Sequence, residues 1–488
     1  MGARGCATQH RGLSPAIMIF HIARVALVIL EVVVLFNLLI IVHELGHFLA
    51  ARWRGLYIEK FGVWFGKPLW KKTINGVQYS LGSLPFGGFV ALPQLAPMDI
   101  IEGKADVERE RLPAVSALDK IIVAIAGPLF SLLLALAFAC LVWVVGYPVG
   151  ESDMTTTIGY VMADSPAGKV GLQPGDKILE VDGNPVKRFL GMNDSVTWSV
   201  VRSEGDKIPI KFERDGEVRT VLVEPYKAET RGWRRKSVRQ LLILPAETPL
   251  IDKVEPNTPA AMAGLQPGDV VTRLNGNRIF SPAAVADYID KHPQEPLTLE
   301  VLRDGKAIIA KVKPTLLPTE GEMKPRIGIG WDASGRISIA HPNPIEQVYK
   351  SITSTLETLG AVASPKSDVK FQHMSGPVGI GHIYYTLFGN ERGWQLALWF
   401  SVILNVNLAI LNMLPIPVLD GGHIVLALIE SVRRKPVNMR LLEIIQTGCA
   451  ALIIGYIAYV SFFDLGDLLG GSNKEKRAAQ PTPATAKP

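Results

Sequence analysis

Residues Val25 to His47 read VALVILEVVVLFNLLIIVHELGH, an apolar run that ends in a pentad of two histidines and a glutamate. The eighteen residues from Val25 to Val42 are broken only by Glu31 and Asn37, and about 20 such residues make a membrane-spanning helix. A secretory signal peptide is the rival reading. No small-residue cleavage site follows the run, and a discarded peptide would have no reason to carry His43-Glu44-Leu45-Gly46-His47, so the segment is expected to be retained. On a helix, residues i and i+4 share a face, so His43 and His47 can point at one metal ion, with Glu44 beside them as general base. Ionisable groups in an apolar helix cost about 2.5–3.5 kcal/mol each at mid-depth and are usually functional.

Three further apolar segments lie beyond it: Ile121 to Gly146, a run from near Leu396 into Leu414–Leu419, and Ile444 to Phe463. The 488 residues are 48% apolar and only 20% charged, with mean hydropathy above zero. Soluble domains run nearer a quarter charged. The expected fold is a polytopic α-helical membrane protein of about four transmembrane helices, carrying soluble insertions. A net charge of +6 without a basic stripe interleaved with aromatics argues against nucleic acid as a partner. Cys6, Cys140 and Cys449 are far apart, which argues against a disulfide framework and a cysteine-type zinc site.

Between the second and third segments lie about 250 residues rich in Val, Gly, Asp and Pro, and they contain an internal repeat. Val161 to Val186 and Val254 to Ile279 align without a gap, and Leu-Gln-Pro-Gly-Asp recurs whole at Leu172–Asp176 and Leu265–Asp269. Each copy is followed by a strand pair around an Asp-Gly turn, Asp215-Gly216 and Asp304-Gly305. Two tandem β-rich domains are expected, at 151–228 and 245–316, between an N-terminal membrane part at 18–150 and a C-terminal one at 340–470. The Ser/Thr-Pro-Ala, Gly-Leu, Pro-Gly-Asp and closing Asn/Asp-Gly pattern resembles bacterial PDZ domains, which bind extended peptides by adding them to a sheet edge. From Ser472 onward the polar, Pro/Ala-rich tail (471–488) is expected to be disordered.

Basic residues set the expected orientation. Arg52, Arg54, Lys60, Lys67, Lys71 and Lys72 follow the first segment, and Arg433, Arg434, Lys435 and Arg440 follow the third. The positive-inside rule puts both loops in the cytoplasm and the tandem domains on the other side.

A catalytic zinc takes three protein ligands and leaves one position open. The acidic candidates in the other apolar segments and the first are Glu31, Asp420, Glu430 and Glu443. Asp420 is best placed, because it follows Leu414-Pro415-Ile416-Pro417-Val418-Leu419, where two prolines interrupt a helix, and precedes Gly421-Gly422. Non-helical backbone at membrane depth is tolerated only within protein or beside water. A surface Asp-Gly turn is the bland alternative.

Together these features resemble the site-2 protease family of intramembrane zinc metalloproteases, in its bacterial branch with two tandem PDZ domains. The resemblance covers about Leu27 to Leu469 and rests on the pentad, Gly62–Gly66, Ser83–Val90, Ala126-Gly127-Pro128, Met374–Gly379 and Asn412–Gly422. It implies one zinc ion per chain on His43, His47 and Asp420, with Glu44 as base. It also implies substrate-holding roles for Asn412 and Pro415, and a membrane-associated β-hairpin at Pro85-Phe86-Gly87-Gly88-Phe89-Val90 that holds substrate as an added strand. Its substrates would be single-pass membrane proteins trimmed beforehand by another protease, such as anti-sigma factors or remnant signal peptides, and it would sit in the bacterial inner membrane with its active site near the cytoplasmic side. Two positions depart from the family: Ser131 stands where Asn is frequent and Ala409 where Gly is frequent. Neither is expected to touch the metal site. A catalytically inactive, membrane-anchored PDZ module is the alternative function, against which the intact pentad and Asp420 speak. A PDZ-bearing serine protease lacks a Gly-x-Ser-x-Gly element.

Overall fold

A computed structural model describes residues 15–95, 112–113, 115–230, 232, 234–319, 322–332, 336–390, 392–435 and 437–478. The chain divides into two compact units. One comprises 1–142, 343–348 and 377–457, and the other 143–342, 349–376 and 458–488.

In the first unit, α1 (Pro15–Arg54) carries the apolar run and the pentad in one uninterrupted helix. A four-stranded sheet follows, built from β1 (Lys60–Phe65), β2 (Trp70–Ile74), β3 (Val77–Leu81) and β4 (Leu84–Ala91) in the order β2-β3-β1-β4. Its hairpin is β2–β3, turning at Asn75-Gly76, where both residues have positive φ. The Gly-rich stretch expected to form a hairpin is instead the single strand β4, antiparallel to β1 at the sheet edge. Its partner is supplied by Lys60–Phe65, which the sequence reading had not assigned to a strand. Next comes α2 (Ala117–Val145), packed so that Val123 and Ala126 join Phe48, Ala51, Leu56, Val90 and Leu92 in one core. The remaining helices are α7 (Pro344–Ala363), α8 (Pro377–Phe388), α9 (Gly393–Asn412), α10 (Asp420–Arg433) and α11 (Met439–Ala478), of which α7 and α11 run on into the second unit. Among the described residues, four stretches are long and apolar enough to cross a membrane: Ala23–Arg54, Ala117–Val145, Gly393–Asn412 and Arg440–Leu468. Helix α11 extends to Ala478, past Ser472 where loss of structure was expected. Lys474, Glu475, Lys476 and Arg477 are good helix formers, so an existing helix propagates through them. Residues 479–488 of the expected tail lie outside the described residues.

The second unit holds the repeats. It opens with β5 (Tyr147–Val149), which pairs with β20 (Ser338–Ala340) and so forms a two-stranded neck around everything between. The first domain contains β6 (Ile158–Val161), α3 (Pro166–Lys169), β7 (Lys177–Val181), β8 (Asn184–Pro185), α4 (Val196–Arg202), β9 (Ile208–Arg214), β10 (Glu217–Val223) and β11 (Ile243–Pro245). The second contains β12 (Ile251–Val254), α5 (Pro259–Met262), β13 (Val270–Leu274), β14 (Asn277–Arg278), α6 (Ala283–Lys291), β15 (Leu297–Arg303) and β16 (Lys306–Val312). It is followed by β17 (Thr315–Thr319), β18 (Glu322–Arg326) and β19 (Ile329–Trp331). The main sheets run β10-β9-β7-β8 and β14-β13-β15-β16, with the Asp-Gly turns at Asp215 and Asp304 as expected. Alternation places Ile208, Ile210 and Phe212 inside the first, and Leu297, Leu299 and Val301 inside the second. Both domains outrun their expected limits of 151–228 and 245–316. Strand β11 pairs with β6 and β19 with β12, which brings Leu241 and Ile327 into the cores. Such pairings between strands remote in sequence leave no periodic signal.

Candidate metal centre

Helix α1 is continuous through the pentad, so His43 and His47 project from one face, both buried. Chain geometry elsewhere brings Asp420 to them. Helix α9 stops at Asn412, the Pro-containing stretch is non-helical, and α10 starts at Asp420 itself. Gly421 and Gly422 permit this start, because a Cβ at either would overlap the backbone of Met413–Leu414 or of Ile416–Pro417. Gln446 donates to the Pro417 carbonyl at 3.2 Å and holds the loop.

Asp420 Oδ2 lies 3.2 Å from His43 Nε2, and Oδ1 lies 3.2 Å from His47 Nε2. The two Nε2 atoms are 3.3 Å apart, and among the described residues this trio alone places three ligand atoms within 4.8 Å of one another. His47 Nδ1 is 2.8 Å from the Val123 carbonyl, which can only accept, so Nδ1 carries the hydrogen and Nε2 presents a lone pair. A lone pair facing a carboxylate at that distance is repulsive unless a cation lies between. Asp420 Oδ2 is buried and accepts no hydrogen bond. Two imidazoles and one carboxylate are a zinc donor set, so the residues fit the ion.

Helix α2 holds the imidazoles with three residues one helical turn apart. Val123 offers its carbonyl to His47, and Gly127 leaves room, since a Cβ there would overlap the His47 ring. Ser131, fully buried, places Oγ 3.0 Å from His43 Nδ1. Ser131 therefore does touch the site, contrary to the expectation from sequence. Spacing along α2 could not reveal this without knowing that α2 packs against the pentad face. Ala409 is buried in α9.

The trio opens into a cavity of about 230 Å³ lined by Ile40, Glu44, Gly88, Phe89, Asn412 and His423, among others. The Glu44 side chain lies against β4 at Gly88. Asn412 Nδ2 is 3.4 Å from His43 Nε2. Of the residues expected to hold substrate, Gly88, Phe89 and Asn412 line the cavity, whereas Pro85, Gly87 and Pro415 do not. The Pro85 carbonyl instead takes a hydrogen bond from Asn37, which ties β4 to α1. His423 was missed, although it stands three residues after Asp420 on the same helix, the spacing that shares a face. Among the other acidic candidates, Glu430 pairs with Lys120 at 2.5 Å, away from the trio.

The family model of peptidase family M50 matches residues 31–456. A candidate zinc metalloprotease of Neisseria meningitidis is 31% identical over 461 residues, covering 89% of this chain and 98% of its own. The regulator of sigma-E protease of Escherichia coli is 26% identical over 464 residues, covering 89% and 98%. Among solved structures, the PDZ domain of an SdrC-like protein from Listeria innocua is 24% identical and covers 17% of this chain and 93% of its own, with a TM-score of 0.16. Matched along nearly all its length by that family and bringing His43, His47 and Asp420 together as a zinc-type donor set, the chain belongs to peptidase family M50 and is a zinc metalloprotease.

Proposed function

We propose that this enzyme cuts peptide bonds inside the transmembrane segments of single-pass membrane proteins that another protease has already shortened, anti-sigma factors or remnant signal peptides being the substrate class. The observation that carries this reading is that His43 Nε2 and His47 Nε2, on a helix apolar enough to span a bilayer, converge with the Asp420 carboxylate. Zinc held there supplies Lewis acidity, polarising the scissile carbonyl and making water nucleophilic near neutral pH. Glu44, on the same cavity wall, takes the proton from water and passes it to the leaving amine. Asn412 Nδ2, aimed at the site, is a donor for developing negative charge. Strand β4 is a sheet edge whose Gly88 lines the cavity, so an unwound substrate segment can add there as a strand and expose its carbonyl.

The zinc and its base separate experimentally. Glu44→Gln keeps shape but cannot take a proton, so the purified chain should retain about one zinc and lose cleavage of a transmembrane peptide in detergent. His43→Ala and His47→Ala should lose most of the zinc. Near-normal cleavage by Glu44→Gln would reject the base, and full zinc occupancy in the double histidine variant would reject the ligands.

The tandem domains are read as PDZ modules on the extracytoplasmic side of the inner membrane, where they exclude substrates with bulky external domains. Basic loops at 52–72 and 433–440 support that orientation. Cysteine labels near Arg434 should resist impermeant reagents, and labels near Asp215 should react; the reverse pattern overturns the orientation. Joining β5 to β20 by a short turn in place of 150–337 keeps the neck and removes both domains. The shortened enzyme should then cut untrimmed substrate. An unchanged ratio of rates on trimmed and untrimmed substrate speaks against the filter.

A further inference from the structure

The two imidazoles of the site are held by different kinds of partner. His47 Nδ1 faces a backbone carbonyl, an acceptor only, which locks the ring with its hydrogen on Nδ1 and its lone pair on Nε2. His43 Nδ1 faces the hydroxyl of Ser131 at 3.0 Å, and a hydroxyl can either donate or accept. The partner of His43 therefore leaves its tautomer open, although Nε2 is the atom turned toward Asp420 at 3.2 Å. A cation at Nε2 requires the hydrogen on Nδ1, so Ser131 Oγ must then accept. Its own hydrogen can go to the carbonyl one turn back in α2, the acceptor that helical serines commonly use.

We infer that Ser131 is the positioning residue for the His43 ligand: it fixes the ring's rotation and selects the Nε2-lone-pair tautomer that binds the metal. The inference rests on the reading of His43 as a zinc ligand. Three features of α2 support it together. Val123, Gly127 and Ser131 follow one another at four-residue spacing and so share a face. The first receives one imidazole, the second leaves room for it and the third receives the other. Ser131 is fully buried, so no water competes for Nδ1 from its side.

Partners of metal-bound histidines typically contribute 10–100-fold to metal affinity. Zinc affinity of the full-length chain in detergent, measured by competition with a chelator, is the readout, alongside the thermal midpoint of the metal-free protein. Ser131→Ala should weaken zinc by 10–100-fold and leave the metal-free midpoint unchanged. Ser131→Thr, which keeps the hydroxyl, should restore affinity to within a few-fold of the parent. Nitrogen-15 spectra of labelled histidine should place the His43 hydrogen on Nδ1 in the zinc-loaded parent. Parent-like zinc affinity in Ser131→Ala overturns the inference, as does failure of a folded Ser131→Thr to recover it. His43→Ala serves as the reference. If it loses zinc while Ser131→Ala does not, only the positioning role is wrong; if it keeps full zinc, the ligand assignment itself has failed.

Discussion

In the first β-rich domain, Asp176 is buried, accepts the N–H of Gln173 in its own loop, and is gripped by Arg214, which also reaches the Gly171 carbonyl. In the second domain, Asp269, Gln266, Arg303 and Gly264 repeat every one of these bonds. The helices α4 and α6 likewise bury Val196 and Val200 in one case and Val285 and Ile289 in the other. Between those core positions the two domains part. Trp198 stands where the second domain has Asp287. Trp198 packs with Val362 and Val369, and its Nε1 donates to Glu357, so the chain beyond the second domain lies against the first. Asp368 strengthens that contact through Lys227 and Arg239. Asp287 instead pairs with Lys291 on its own helix and stands near Tyr160 of the first domain. The shared residues build the scaffold, and one outward residue decides what docks on it.

The scaffold half of this comparison predicts the largest effects. Ile210→Ala and Leu299→Ala each empty a fully buried core site and should cost about 2–5 kcal/mol, read as lost amide protection in the affected domain of the full chain. Similar losses in both domains are expected; protection unchanged in either would break the equivalence. Asp176→Asn and Asp269→Asn should each cost about 2 kcal/mol, because a charge-assisted pair is weakened while its geometry is kept. A large difference between them would mean that the two loops are not the same device.

The docking half predicts smaller, local changes. Trp198→Ala should release residues 364–374 to faster amide exchange by about 1–2 kcal/mol, less than a core truncation because the ring sits at a contact edge, with β7 and β9 unaffected. Asp287→Ala should leave that segment alone. If both variants behave alike, the outward residue does not choose the contact. The smallest effect is that of pH. Burial opposes ionisation of Asp269, but Arg303 and the Gln266 N–H outweigh it and hold the carboxyl below its usual value. Its contribution is therefore complete above the ordinary carboxylate range and is lost as pH falls through the depressed value. Protection in the second domain that rises on acidification would reverse that sign.

Much of the site was legible because it is local. The pentad needs only helical periodicity to bring His43 and His47 together, and Asp420 was marked by the prolines and glycines that break the backbone around it. The repeat was legible because its loop chemistry is written out twice. Ser131, His423, Asn37 and the Val123 carbonyl were not, since each acts on a partner from another segment: Ser131 and His43 are 88 residues apart and bond directly. The β4 hairpin was misread for the same reason, its partner being β1.

The sequence by itself determined the membrane helices, the paired imidazoles, the carboxylate after the broken segment and the two copies of a β-rich scaffold. All of these follow from apolar length, residue spacing and turn chemistry within a few residues. Only the tertiary structure decided which strand closes each small domain, which face of α2 meets the pentad, and which helix position of the first domain carries the docked segment. Those choices depend on packing between segments remote along the chain, where burial and hydrogen-bond satisfaction are settled jointly and no single stretch carries the pattern.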